Sequence, residues 1–156
     1  MKIHTLTREQ IVPAPLDRVF DFFSKPENLS FLTPPELGFV ILTPRPIAMK
    51  QGALIDYTIR LAGVRVRWTP LIAEYEAGRM FVDEQAKGPY ACWRHSHSFD
   101  AVPGGTLVRD EVRYAMPFGP LGALVHTLAV RGRLRSIFDF REAVIRKLFT
   151  TEKAAA

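Results

Sequence analysis

Hydrophobic residues follow two different periods along this chain. Between residues 38 and 116 they alternate with polar residues in short runs bounded by glycine and proline, which predicts β-strands joined by tight turns. From Pro120 to about Phe149 they recur every three or four residues, which predicts a long helix. With one run at the N-terminus, the predicted strands cover residues 3–12, 38–44, 53–62, 64–76, 79–86, 90–101 and 106–116.

Two short helices are predicted between the first strand and the second. Apolar residues stand at helical spacing within residues 16–24, and a second run at 26–32 ends before Pro34 and Pro35. Strands flanked by helices in this order are typical of an α+β fold whose antiparallel sheet is covered on one face. Pro70 lies inside a predicted strand and therefore indicates an edge or a bulge.

The long terminal helix carries a broad apolar stripe that we expect to pack against the sheet. Gly132 lies within this stripe and permits a bend or a brief break in the helix. The stripe consists of Leu121, Leu124, Val125, Leu128, Leu134, Ile137, Phe138, Val144, Ile145 and Leu148.

The composition fits one soluble domain. The chain has 156 residues, of which 47% are hydrophobic and 24% are charged, and its one cysteine is Cys92. These values exclude a disordered tail protein and a disulfide-linked secreted scaffold. The sequence lacks an apolar leader and an apolar run long enough to cross a bilayer. We expect a cytoplasmic protein, monomeric or homodimeric and without stable membrane insertion, with one domain over 1–150 and a tail over 151–156.

Positive charge is concentrated in the terminal helix. The formal net charge is +5, and residues 131–147 contain six bases against two acids. The six bases are Arg131, Arg133, Arg135, Arg141, Arg146 and Lys147. A basic helix either presents a solvated surface or docks on an anionic membrane or nucleic acid. Because stacking aromatics do not alternate with these bases, we expect no nucleic-acid partner.

Several stretches of the sequence resemble one superfamily. Ile11–Ser24, followed by Pro26–Leu29, resembles the opening of START/SRPBCC proteins, which include pollen-allergen-like proteins, lipid-transfer domains and polyketide cyclases. Five further stretches look like the bacterial ligand-binding, polyketide-cyclase-like branch: Phe81–Gln85, Gly88–Tyr90, Trp93–Phe99, Gly105–Thr106 and Pro117–Gly122. The resemblance implies the helix-grip fold, in which a curved antiparallel sheet of about seven strands wraps around the C-terminal helix and encloses a ligand cavity. It implies less about activity, because this fold carries several functions.

Two neighbouring predicted strands bring candidate site residues together. In strand 90–101 the set expected to face the cavity is Trp93, His95, His97 and Phe99. In strand 106–116 the corresponding set is Val108, Asp110, Val112 and Tyr114. If the turn between them centres on residues 103–104, His97 lies opposite Asp110 and His95 lies opposite Val112. Directly opposed side chains are close enough for a hydrogen bond, so we expect a polar cluster of His95, His97 and Asp110.

This cluster has three interpretations. It is a buried network that fixes strand pairing, an anchor for the polar part of a ligand, or a catalytic or metal-binding group. A His-x-His pair chelates metal, but zinc needs a third protein ligand. Asp110 could supply that ligand or instead orient a histidine. We therefore assign no metal and no cofactor, and we keep His95, His97 and Asp110 as catalytic candidates only.

The favoured function is binding of a small hydrophobic or amphipathic molecule, lipid-like, aromatic or polyketide-like, in an internal cavity. The alternative is a cyclase, aromatase or dehydratase that uses His95 and His97 as acid and base. The predicted ligand-binding residues are Tyr57, Trp93, His95, His97, Phe99, Asp110, Val112 and Tyr114. Asp83 and Gln85 share one strand face that borders the cavity or points outward, and Cys92 lies on the face opposite the histidines.

Overall fold

The computed structural model describes residues 1–155 of the chain, with side chains through residue 151. Within these residues seven strands form one sheet, all neighbours antiparallel, in the order β1-β7-β6-β5-β4-β3-β2. The strands are β1 (His4–Val12), β2 (Val40–Ile41), β3 (Tyr57–Leu61), β4 (Val64–Glu76), β5 (Met80–Lys87), β6 (Cys92–Val102) and β7 (Gly105–Ala115). The predicted sheet is confirmed.

Helices cover the concave face of the curled sheet. After β1 come α1 (Leu16–Phe23), a 3₁₀ turn (Pro26–Asn28), α2 (Leu29–Leu32) and a second 3₁₀ turn (Pro35–Leu37). After β7 come α3 (Gly119–Val125), a π-helical turn (His126–Val130) and α4 (Arg131–Ala155), which together form the long C-terminal helix. The side-chain amide of Gln10 in β1 donates to the Glu142 carbonyl of α4 at 3.0 Å, which ties this helix to the edge of the sheet. The helix-grip arrangement is therefore confirmed.

The second strand is much shorter than predicted, and β3 is shorter as well. The strands predicted at 38–44 and 53–62 are observed at Val40–Ile41 and Tyr57–Leu61. Proline at positions 44 and 46 removes backbone donors that a longer ladder would need, and the strand lies at the sheet edge. The proline inside β4 behaves as predicted, because the pairing of β4 with β5 shifts register between Thr69 and Pro70. Since β4 pairs on both sides, this proline marks a bulge.

The apolar stripe of the terminal helix is buried only in its second half. Leu134, Phe138 and Ile145 are 5%, 6% and 2% exposed, whereas Leu121 and Leu128 are 63% and 77% exposed. Leu124 and Val125 are exposed as well, so the expectation of one continuous buried stripe is wrong. The change in burial coincides with the π-helical turn, where an extra residue in one turn rotates the preceding segment relative to the following one. The bend or break expected at Gly132 therefore occurs just before this residue, in the π-helical turn.

The C-terminal tail expected at 151–156 is helical as far as Ala155, and residue 156 lies outside the described residues. Among residues 1–155, none of the helices combines the length and apolarity needed to span a bilayer. The six bases of the terminal helix do not share one surface, because the Arg141 side chain is only 12% exposed whereas Arg146 is 68% exposed.

Candidate functional site

A large cavity lies between the sheet and the terminal helix. Its volume is about 1040 Å³, and its walls come from α2, β3 to β6 and α4. Most lining side chains are apolar or aromatic, including Leu32, Ile59, Trp68, Trp93 and Phe138. Cavities of this size and lining are typical of sites for small organic molecules.

Aromatic side chains form one continuous wall of this cavity. The rings of Trp68 and Trp93 lie 4.9 Å apart, and Tyr90 lies 4.9 Å from Trp93 and 5.4 Å from Trp68. Tyr57 extends the wall at 6.0 Å from Trp68. Burial raises the pKa of Tyr57 and Tyr90, so both hydroxyls remain neutral donors at the cavity surface. This wall offers flat apolar contact with a few neutral polar groups.

A polar cluster interrupts the apolar lining where β5 and β6 pair. Asp83 lies directly opposite His95, and His97 is the next inward-facing residue of β6. The Asp83 Oδ2 atom lies 3.3 Å from His97 Nε2 and 3.7 Å from His95 Nδ1. Both histidines are buried, and all three side chains line the cavity. The sequence did not determine whether Asp83 borders the cavity or points outward. In the structure, Asp83 pairs with His95 across β5 and β6 and lines the cavity.

Asp110 stands behind the two histidines. Its Oδ1 atom accepts a hydrogen bond from His95 Nε2 at 2.9 Å, and His97 Nδ1 lies 2.8 Å from the same oxygen without the alignment of a hydrogen bond. The register confirms the expected pairing of His97 with Asp110. Burial alone raises the pKa of Asp110, but the adjacent histidines hold it well below its usual value. Asp110 is therefore a charged group that orients both rings.

The two histidines respond differently to this environment. Burial and the neighbouring charge of His97 lower the pKa of His95. Burial also opposes the charged form of His97, but the carboxylates of Asp110 and Asp83 outweigh it and raise the His97 pKa. The ring centroids are 3.8 Å apart. His97 therefore holds a proton more readily than His95 does.

Arg141 completes the cluster from the helix side. Its Nη1 atom lies 3.9 Å from Asp110 Oδ1, and its guanidinium carbon stands 5.3 Å from the Phe138 ring centroid. This Nη1 is buried and has no hydrogen-bond partner among the described residues. From the sequence, Arg141 is predicted only as one of the six bases of the terminal helix. The missed signal is helical spacing, because Leu134, Phe138, Arg141 and Ile145 follow one buried face.

The eight predicted ligand-binding residues divide into two groups. Those on the cavity wall are Tyr57, Trp93, His95 and His97. Those absent from the wall are Phe99, Asp110, Val112 and Tyr114, so the expectation that they line the cavity is wrong. Val108, which we also expected on the wall, lies in the packed core as well.

Packing at the two ends of the sheet explains why these residues lie behind the wall. The Phe99 ring sits 5.2 Å from Phe20 of α1, inside a core cluster. Val112 and Tyr114 pack with Leu134 in a second cluster, and the Tyr114 hydroxyl lies 2.8 Å from His126 Nε2. The correct strand face therefore serves partly as core and partly as cavity wall.

Two residues with uncertain orientation in the sequence have clear positions. Asp83 lines the cavity, whereas the Gln85 side chain binds the backbone N–H and carbonyl of Tyr90 and closes the turn after β5. Cys92 is half-buried on β6, on the strand face opposite the histidines, as alternation predicts.

Similarity to known proteins is found in structure and not in sequence. No protein-family model matches this chain, and no curated protein matches it. The solved structure of Ara h 8.0201 superposes with a TM-score of 0.62 at 18% identity, over 92% of this chain and 98% of that one. A START superfamily protein from Mycobacterium smegmatis superposes at 0.66 with 14% identity, over 93% and 99%.

The ZhuI aromatase/cyclase from Streptomyces sp. R1128 superposes with a TM-score of 0.66 at 13% identity, over 94% of this chain and 96% of that one. These three proteins share the helix-grip fold of the START/SRPBCC superfamily. The fold of this chain is the one that the sequence resemblance implied. At such low identity the likeness concerns the fold alone.

Proposed function

We propose that this protein binds an amphipathic small molecule in the cavity. The polar end of this molecule lies against His95, His97 and Arg141, and its apolar body lies along the aromatic wall. The observation that carries the proposal is a cavity of about 1040 Å³ whose lining is mostly apolar and includes the polar cluster of Asp83, His95, His97 and Arg141. A lipid-like, aromatic or polyketide-like molecule has this distribution of polarity.

Energetics support both halves of such a ligand. Burial of apolar surface contributes about 25 cal/mol per Å², so a molecule that covers the aromatic wall gains several kcal/mol. The Nη1 atom of Arg141 has no hydrogen-bond partner among the described residues, since Asp110 Oδ1 lies 3.9 Å away, and a buried donor without such a partner costs on the order of 1–3 kcal/mol. A carboxylate or another anionic oxygen would satisfy this donor. We therefore favour an acidic polar end.

The comparisons support this class of function at a coarse level. The structural neighbours include a START superfamily protein and an aromatase/cyclase. We extend from them only the general role of the cavity, because each shares less than 20% identity with this chain.

The test uses intrinsic fluorescence, because both tryptophans of the chain, Trp68 and Trp93, line the cavity. Long-chain fatty acids, flavonoid-like aromatics and polyketide mimics are titrated into the protein. We expect saturable quenching by at least one acidic probe. Arg141→Gln should weaken that binding about 10-fold to 100-fold, since a charge-assisted hydrogen bond contributes roughly 1.5–3 kcal/mol.

The matched control is Arg146→Gln, on the same helix but exposed and paired with Glu142. It should leave the affinity unchanged. His95→Ala and His97→Ala should weaken binding while the folded structure is retained. If no probe binds the wild-type protein and both histidine variants only lower the melting temperature, the histidines are structural and the proposal is wrong.

A second candidate function is catalysis of the cyclase or dehydratase type. It is favoured by one observation: His95 and His97 are adjacent, yet their pKa values shift in opposite directions. Such a pair supplies a base and an acid next to each other. In this case His97→Gln should abolish turnover of a polyketide mimic, followed by mass spectrometry, while binding of the mimic is retained. Binding without turnover by the wild-type protein would exclude this function for that substrate.

A further inference from the structure

The polar cluster contains a set of metal-ligating atoms that the sequence did not reveal. Asp83 Oδ2, His95 Nδ1 and His97 Nε2 lie within 4.8 Å of one another. All three belong to side chains on the cavity wall. The sequence offered Asp110 as the third ligand, but Asp110 faces the opposite edges of the two imidazole rings.

Two of the three distances between these atoms are close to those around a tetrahedral zinc ion. Zinc bonds to nitrogen and oxygen are about 2.0–2.1 Å long, so neighbouring tetrahedral ligand atoms are roughly 3.3 Å apart. Asp83 Oδ2 lies 3.3 Å from the His97 nitrogen and 3.7 Å from the His95 nitrogen. The third separation, between the two histidine nitrogens, is at most 4.8 Å, so the three atoms surround a common point on the cavity wall.

Asp110 gives the histidines the support that metal-binding imidazoles require. Metal-ligating histidines generally face a carboxylate or carbonyl with their second ring nitrogen, which fixes ring orientation and tautomer. Here Asp110 Oδ1 lies 2.9 Å from His95 Nε2 and 2.8 Å from His97 Nδ1, on the far side of both rings from Asp83. The His95 ring therefore already has the outer hydrogen bond of a metal ligand, and the His97 ring has the same carboxylate within reach of its second nitrogen.

Charge and position also favour a cation. Metal ligation requires both imidazoles to be neutral, and in that state the carboxylates of Asp83 and Asp110 exceed the single guanidinium of Arg141, which gives the cluster a formal charge of −1. The three ligands lie on the paired strands β5 and β6, which hold them more precisely than loops would. The ligands line the cavity, so a bound ion would present its remaining coordination position there.

We propose that Asp83, His95 and His97 bind a divalent transition-metal ion, zinc by geometry, with one position open to the cavity. Three protein ligands with an open fourth position are the pattern of catalytic zinc sites, whereas structural sites use four. Water or an anionic oxygen of a cavity ligand would occupy the fourth position. The site does not depend on the proposed small molecule, because the chain supplies all three ligands.

The experiment uses the full chain, stripped with a chelator and titrated with cobalt(II) chloride and then zinc chloride. Tetrahedral cobalt gives strong visible absorption, and zinc should displace it. We expect one metal ion per chain. Asp83→Asn and His97→Gln should weaken binding by more than about 100-fold, because loss of an outer hydrogen-bond partner alone costs roughly 10–100-fold.

Two further variants separate direct ligation from support. Asp110→Asn should retain one metal per chain with an affinity about 10-fold to 100-fold lower. The control is His126→Gln, which removes another buried histidine, paired with Tyr114 and outside the cluster. It should leave the affinity unchanged.

X-ray absorption of the wild-type zinc complex provides a readout that needs no variant to fold. It should show two imidazoles and oxygen ligands. Absence of cobalt binding to the wild-type protein, or a zinc complex without two imidazoles, would overturn the proposal. So would affinity that is equal in wild-type, Asp83→Asn and His97→Gln proteins. Binding of organic probes in the presence of chelator would leave the proposed ligand function standing independently.

Discussion

The exchange Asp110→Asn tests how strongly the polar cluster stabilises the folded protein. Asp110 is 8% exposed, with His95 Nε2 at 2.9 Å, His97 Nδ1 at 2.8 Å and Arg141 Nη1 at 3.9 Å from its Oδ1 atom. Removal of one partner from a buried ion pair typically costs about 3–5 kcal/mol. Asparagine keeps an oxygen of similar shape, so we expect the lower end, about 3 kcal/mol. For a domain of this size that corresponds to a fall of roughly 6–12 °C in Tm.

Thermal denaturation followed by circular dichroism measures this effect. The matched control is Asp139→Asn, whose carboxylate is 66% exposed and pairs with Arg8 at 2.9 Å. Exposed pairs contribute about 0–1 kcal/mol, so the control should lose less than about 4 °C. If Asp110→Asn loses no more than the control, the buried carboxylate does not hold the histidines in place. The reasoning about the cluster would then be wrong.

Three further predictions concern other parts of the fold. Gly132→Ala should raise the free energy of unfolding by about 0.5–1 kcal/mol, because a Cβ at this helical position meets no described atom within 4 Å. Thr106→Val should lower it by about 1–3 kcal/mol, because the buried Thr106 hydroxyl donates to the Ala14 carbonyl at 2.8 Å. Asp56→Asn should reduce the loss of stability in acid. A hydrogen bond from Arg67 lowers the pKa of Asp56, so its contribution is present above about pH 4 and disappears as pH falls through the lowered pKa.

Each of these three predictions can be contradicted by a stability measurement. Urea denaturation compares Gly132→Ala with wild type, and an unchanged or lower unfolding free energy contradicts it. Thr127→Val removes an exposed hydroxyl bonded to Ala123 and should cost far less than Thr106→Val. For Asp56, the difference in Tm between wild type and variant should narrow as the pH falls from 5 to 3. A difference that widens as the pH falls would contradict the prediction.

Strand alternation predicted the centre of the site because one register determines it. Once β6 and β7 pair across the turn at 103–104, His97 must lie opposite Asp110. Alternation does not determine, however, whether a residue on that strand face lies in the packed core or on the cavity wall. Phe99 and Tyr114 occupy the predicted face but lie beneath α1 and the π-helical turn, whose positions depend on packing across the whole domain.

The sequence was least informative about the helix that closes the cavity. A π-helical turn at His126–Val130 has no clear local signature, yet it separates the exposed Leu121 from the buried Leu134. The sequence also does not predict that Arg141 belongs to the polar cluster, for a related reason. A charged residue on a buried helical face looks like part of a solvated surface until the opposing carboxylate of Asp110 is known.

The three-stranded meander β5-β6-β7 carries Asp83, both cluster histidines and Asp110 in one uninterrupted stretch of chain. Recombination or design could therefore transfer these four residues between helix-grip proteins as one continuous segment. Only Arg141 would have to be supplied separately, by the terminal helix of the receiving protein. The same contiguity makes the cluster fragile toward insertions. One added residue in β6 between Trp93 and His95 would shift the residues on one side of it to the opposite face of the sheet. A helix-grip protein with this insertion would keep its cavity and lose the polar cluster in one step.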